Sequence, residues 1–242
     1  SREKEVIMLY EYALFLLTTF LMSSSTEYLE ANLLPLIESI KPKTTDSFLL
    51  KACGLDGRPS TQSVSITIGT RLEKFWNKVF SDSPHCTNHI EHSDRVDVNG
   101  RTRQIDHYFS VPDLGADTHL YLESKCNVNF DTEKIRASNE KIQQITETLS
   151  NRDDREVQSG YFVPVLRNIP TNIAREYEAL GVGVFDVEDV ISWMGIDGCP
   201  FTPDEYFAFF KERLAPIITR LLDGVPVNKP AHRVLHGSLD LL

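Results

Sequence analysis

Two stretches near the middle of the chain carry residue types suited to phosphoester chemistry. One is Arg103-Gln-Ile-Asp-His-Tyr-Phe-Ser, centred on Asp106. The other is His119-Leu-Tyr-Leu-Glu-Ser-Lys-Cys, which holds Glu123 and Lys125. Read as β-strands, their side chains alternate between faces. Tyr121, Glu123 and Lys125 then share one face, and Leu120, Leu122 and Cys126 the other. In the earlier strand Gln104, Asp106 and Tyr108 share a face, opposite Ile105, His107 and Phe109. Folding the pair symmetrically about Leu114 and Gly115 sets Asp106 across from Glu123, with Cβ atoms about 5 Å apart. Carboxylates that close repel each other unless a cation lies between them. Mg²⁺ suits such a pair, because it takes one or two carboxylates and completes its shell with water and phosphate oxygens. Lys125 would hold or help deprotonate an attacking water and neutralise charge at a phosphate.

The elements around this hairpin follow from periodicity and turn chemistry. Residues 5–22 and 26–41 read as two helices, and residues 54–60 as a loop. A helix starts after Gly69, with Leu72, Phe75, Trp76 and Val79 on one face. Three meandering strands come next. Asn99-Gly100 marks the first hairpin, since both turn positions need positive φ. The third strand runs from His119 to about residue 127. Asp131 caps a helix to Leu149, with Ile135, Ser138, Ile142, Ile145 and Leu149 inward. Residues 150–159 read as a loop, Tyr161–Leu166 as a strand near an edge because of Pro164, and 171–180 as a helix. Val182–Phe185 reads as a strand, and Asp186 caps a helix. Thr202 or Asp204 caps a last amphipathic helix that Pro216 kinks or divides. The expected class is α/β: a mixed sheet flanked by helices, with an N-terminal helical extension. Residues 1–60 form that extension, for packing or dimerisation. Residues 61–200 form the core, and 201–242 add a helix and tail to the same domain.

Composition bounds the function. The chain has 242 residues, 41% hydrophobic and 25% charged, as in an ordinary globular protein. The net charge of −10 counts against a simple nucleic-acid binder, which needs Lys and Arg for phosphate. Two local basic clusters offset it, Arg101 with Arg103 and Lys134 with Arg136 and Lys141. Cys53, Cys86, Cys126 and Cys199 show no disulfide framework, which suits reduced thiols in a cytoplasm. The apolar run from Val6 to Met22 is interrupted by Glu11 and reads as a buried or dimer-interface helix rather than a membrane span. No phosphate-binding loop, dinucleotide fingerprint or serine-hydrolase elbow is present, so no nucleotide cofactor is expected. The run Cys86-Thr-Asn-His89-Ile-Glu-His92, with His85 beside it, lacks the second ligand pair of a usual zinc site and reads as a polar loop. The plain alternative for Asp106, Glu123 and Lys125 is a solvated strand face with a weak ion pair.

Ile105-Asp106, Glu123-Ser124-Lys125 and the helix–strand–strand–strand–helix–strand order together resemble the PD-(D/E)xK nucleases, which include most Type II restriction endonucleases. The resemblance covers about residues 66 to 190 and implies a restriction-endonuclease-like fold. Pro112-Asp113 matches the motif's letters but falls in the turn, so the matching position is Asp106, preceded by Ile. By this resemblance Asp106 and Glu123 would bind Mg²⁺. Glu73, on the helix before the strands, would bind a second metal or orient its water. Lys134, Arg136, Asn139 and Lys141 would contact phosphate or bases, beside Arg101 and Arg103. The implied activity is sequence-specific cleavage of double-stranded DNA to 5′-phosphate and 3′-hydroxyl ends by a homodimer. A repair, resolving or nicking nuclease of the same fold, or a catalytically silent α/β interaction protein, stands as the alternative.

Overall fold

A computed structural model describes residues 24–41, 61–91, 94–115, 118–126, 132–195 and 197–222. The expectations for residues 5–22, the 54–60 loop, Cys53, His92, the Asp131 cap and the C-terminal tail lie outside the described residues. Helices α1 (residues 24–32) and α2 (Leu34–Glu38) lead, followed by the long α3 (Thr61–Asp82). Strands β1 (Thr87–Asn88), β2 (Arg95–Val98), β3 (Arg101–Gln104), β4 (His107–Ser110) and β5 (Thr118–Ser124) come next. Then follow α4 (Thr132–Asp153), β6 (Glu156–Phe162), α5 (Thr171–Glu178), β7 (Gly183–Phe185) and α6 (Val187–Met194). Helices α7 (Pro203–Phe209) and α8 (Ala215–Leu222) close the described chain, joined by a π-helical turn at Phe210–Leu214.

The main sheet has five strands in the order β1-β4-β5-β6-β7. β4 runs antiparallel to β1 and β5, whereas β5, β6 and β7 are parallel. This is the mixed α/β sheet the element order called for. Its two faces bury separate cores. Leu120, Leu122, Phe109 and Phe162 meet Leu72, Phe75, Trp76, Val79 and Phe80 of α3, together with the C-terminal helices. Leu29, Leu33 and Ile37 of the N-terminal helices join that same core. On the other face Tyr108, Tyr121 and Tyr161 meet Ile135, Ile142, Ile145 and Leu149 of α4. Helices on both faces explain why β5 is buried along nearly its whole length.

Four boundaries differ from the sequence reading, each for a local reason. Helix α3 begins at Thr61 rather than after Gly69, because Val64 and Ile68 extend its buried stripe. Gly69 sits inside the helix, where an added Cβ would stand 3.6 Å from Cys126 Sγ. The three strands are not one meander. Asn99 and Gly100 do take positive φ, 53° and 75°, and turn β2 into β3. That pair forms its own two-stranded ribbon against α4, and the chain breaks at Ile105–Asp106 before β4 joins the main sheet. Ile105 therefore packs with Tyr108 on the α4 side, not with His107 and Phe109. The expected loop at 150–159 is short: α4 continues to Asp153, Asp154 turns with φ 52°, and β6 starts at Glu156. The strand expected at Tyr161–Leu166 ends at Phe162, so Pro164 falls outside it.

Other local signals appear where they were read. Asp186 caps α6 by accepting from the backbone N–H groups of Glu188 and Asp189. Thr202, rather than Asp204, caps α7 in a capping box with Glu205. Pro216 follows the π-helical turn; it has no N–H to donate, and the helix accommodates it by widening rather than stopping.

Candidate active site

The symmetric hairpin is present. His107 pairs with Leu122 and Tyr108 with Tyr121, and continuing that register by one step puts Asp106 across from Glu123. Pro112–Leu114 forms the intervening 3-10 turn, away from this end of the strands. Asp106 and Glu123 are both buried, at 8% and 4% exposure. Few proteins bury two carboxylates side by side without a task for them.

Three elements hold Asp106 and Glu123 in place. The break before β4 frees the Asp106 backbone from strand pairing, and Asn77 of α3 takes it up: Asn77 Nδ2 donates to the Asp106 carbonyl oxygen at 2.7 Å. The Asp106 carboxylate accepts from the Ser124 backbone N–H at 3.0 Å, which stitches it to β5. Glu123 is gripped from three sides. Lys125 Nζ donates to its Oε1 at 2.7 Å, and the buried Tyr121 hydroxyl to its Oε2 at 2.8 Å. Lys141 of α4 donates to both oxygens, at 2.7 and 2.9 Å. Lys125 extends the β5–β6 ladder through its N–H to the Phe162 carbonyl oxygen at 2.8 Å. Its strand position and side-chain direction are thereby fixed.

The charges are unequal by design of position. Burial pushes the Asp106 carboxyl up to about 8, helped by repulsion from Glu123 and Glu73. Burial also raises Glu73, and Glu123 adds to that against the pull of Lys125 and Lys141. Glu123 is raised by burial, but Lys125 and Lys141 outweigh it, and its carboxyl lies below the ordinary value. Burial would lower Lys125, yet Glu123 holds its ammonium above the ordinary value. Thus the two lysines favour the ionised form of Glu123, while burial and repulsion favour the protonated forms of Asp106 and Glu73. Ionising all three acids beside two lysines would leave the site short of positive charge. A hard divalent cation with oxygen ligands would meet that need, and Asp106 with Glu123 are carboxylates of the kind that could hold one. Among the described residues no three His, Cys, Asp or Glu side chains converge on one ion-sized point. Mg²⁺ takes only one or two carboxylates from many proteins and fills the rest of its shell with water.

The structure brings Glu73, Asp106, Glu123, Lys125 and Lys141 together. It separates others. Asn139, expected to reach DNA, is turned inward: it is 5% exposed and its Oδ1 accepts from the Tyr161 hydroxyl at 2.8 Å. It braces the wall behind Glu123 instead, because it falls on the Ile135–Ile142 stripe. Arg101 and Arg136 are exposed, and Arg103 is half-buried on the β2–β3 ribbon. The Lys134 side chain lies outside the described residues. His107 is fully buried between the Phe80 and Phe162 rings, the core position its face implied. His85 Nδ1 faces the Met194 carbonyl oxygen and His89 Nε2 faces Ser110 Oγ, so these rings turn to different partners. Cys86, Cys126 and Cys199 form no disulfide.

Asn77 escaped the sequence, and Tyr121 and Lys141 were singled out without their contacts to Glu123. Asn77 lies four residues after Glu73, hence on the same helix face, and that spacing was a readable signal. Tyr121 was visible on the Glu123 face, but its bond to Glu123 was not. Lys141 was read as a phosphate contact; its place beside Ile142, at the rim of the buried stripe, is what points it at Glu123. No family model, curated protein or solved structure matches the chain. Among the described residues no helix is long and apolar enough to cross a membrane.

Proposed function

We propose that the protein is a Mg²⁺-dependent endonuclease of the PD-(D/E)xK type acting on double-stranded DNA. One observation carries the reading: buried Asp106 stands in register with buried Glu123, and Lys125 reaches the same carboxylate from two residues on. A structural ion pair does not call for a second buried acid beside it. Burying a second acid can cost more than pairing returns, and perturbed carboxyls of this kind cluster at functional sites.

Asp106 and Glu123 would hold Mg²⁺, with Glu73 oriented toward its water shell. The metal supplies positive charge to the scissile phosphate when bound. Lys125 holds the attacking water by its lone pair and offsets charge growing on the phosphate. The water oxygen would form the new bond to phosphorus as the bond to the 3′ oxygen breaks, the water giving up a proton to solvent and the departing 3′ oxygen taking one from it. The products are a 5′-phosphate and a 3′-hydroxyl. Arg101 and Arg136, both exposed, would contact the DNA backbone despite the net charge of −10. Sequence-specific cutting by a homodimer, as in Type II restriction enzymes, is the form this reading takes, because twofold symmetry cuts both strands of a palindrome.

The test is incubation of long mixed-sequence duplex DNA with Mg²⁺ and either the wild type, Asp106→Ala or Lys125→Ala. Discrete fragments from the wild type alone support a sequence-specific nuclease with this site. Nicks or structure-dependent cuts would make it a repair or resolving enzyme. Cleavage by both variants would place the active site elsewhere. Inertness with every divalent metal and DNA form would leave a silent α/β interaction protein, which the acidic balance favours.

A further inference from the structure

The geometry points to Lys141 as a tethered counter-cation that occupies Glu123 until a divalent ion displaces it, and so sets the metal affinity of the site. The inference rests on the nuclease reading and adds a regulator to it. A carboxylate offers about four acceptor positions. Glu123 fills them with Lys125 on one oxygen, Tyr121 on the other and Lys141 on both. No acceptor position is left for a metal, so one donor must leave when Glu123 becomes a ligand.

Lys141 is the donor that can leave. Its ammonium faces both oxygens at 2.7 and 2.9 Å, which is the place a chelated cation would take. Tyr121 is buried and rises from the same strand as Glu123. Lys125 is tied to the sheet at its backbone and held close to Glu123 in sequence. Lys141 comes from α4, a separate element, on a long side chain that is 28% exposed and can swing outward without disturbing any strand. While the metal is absent, Lys141 fills the acceptor positions on Glu123 that Lys125 and Tyr121 leave open, which keeps the buried carboxylate fully bonded. Once displaced, its charge lies at the rim of the site, where phosphate would arrive.

The measurement is calorimetric titration of Mg²⁺, without DNA, into chelator-treated wild type, Lys141→Gln and Lys141→Arg. Thermal melting without metal runs alongside. Lys141→Gln should bind Mg²⁺ about tenfold more tightly, since a like charge no longer competes, and should melt lower without metal. A merely structural lysine would weaken binding when lost, the opposite sign. Lys141→Arg keeps the charge and grips the carboxylate with two parallel bonds, so it should bind Mg²⁺ more weakly than wild type. Unchanged or weaker binding by Lys141→Gln overturns the inference while leaving the nuclease reading in place. If Lys141→Gln does not fold, binding by Lys141→Arg at or above wild-type strength overturns it. No Mg²⁺ binding by the wild type overturns both.

Discussion

Asn77 Nδ2 and the Asp106 carbonyl oxygen lie 2.7 Å apart in the buried seam between α3 and the sheet. This bond occupies the backbone acceptor at the point where the chain leaves the β2–β3 ribbon and enters β4. Without it the carbonyl would be buried unsatisfied. Asn77→Ala should therefore cost about 1–3 kcal/mol of stability. It should also lower cleavage further than the lost folded fraction explains, because Asp106 loses its support. Urea melts paired with cleavage rates at saturating folded protein check both. An intact rate per folded molecule would show that Asp106 needs no such brace.

Asp106 makes a pH prediction with a defined sign. Its carboxyl is pushed up to about 8 by burial, Glu123 and Glu73. The unfolded value is about 3.9, so between those limits the folded state binds more protons than the unfolded one. Stability contributed by this group is thus lost as pH rises through that window. Asp106→Asn should remove the loss, and its melting temperature should gain on the wild type steadily from acid to pH 8. Equal slopes for the two proteins would contradict the assignment.

The same carboxyl governs metal uptake. Mg²⁺ must displace the Asp106 proton, so binding should tighten as pH rises towards 8 and then level off. Calorimetry in buffers of differing ionisation enthalpy would report the protons released. A metal affinity flat from pH 6 to 8 would mean that Asp106 is not a ligand.

Glu73 is held above its ordinary range by burial, with repulsion from Glu123 opposed by the two lysines. Glu73→Gln should leave the melting temperature unchanged or raise it, since an acid is removed from a crowded site. Cleavage should fall about tenfold if Glu73 orients a metal-bound water. Full activity in Glu73→Gln would reduce this residue to a bystander.

A control away from the site tests whether such losses are specific. Tyr206 donates its hydroxyl to the Pro164 carbonyl oxygen at 2.9 Å and accepts from Trp76 Nε1 at 3.2 Å, all buried. Tyr206→Phe strands both partners and should cost about 1–3 kcal/mol. The cleavage rate per folded molecule should stay at the wild-type level, as nothing in the acid cluster touches Tyr206.

The sequence made the register of Asp106 and Glu123 legible because alternation has a period of two and the connection is centred on Leu114–Gly115. Asn99-Gly100 and the Asp186 cap were legible for a similar reason: each signal is local and chemically narrow. The break at Ile105–Asp106 was not, since no proline or glycine marks it; only the competing pull of α4 on the ribbon separates β3 from β4. The first half of β6 was hidden by its polar residues, Glu156, Gln158 and Ser159, which pair with β5 in parallel while their side chains remain partly outside. The Lys141 contact joins residues far apart in the chain, and no local pattern encodes which way a half-exposed lysine turns.

The break at Ile105–Asp106 also separates two kinds of inheritance. β4 takes its alignment from β1 and β5, while β3 answers only to β2. The turn end of the ribbon, which carries Arg101, can thus vary without shifting the strand register that sets Asp106. On the nuclease reading, a chain built this way would change what it grips while its acid cluster stays where it is.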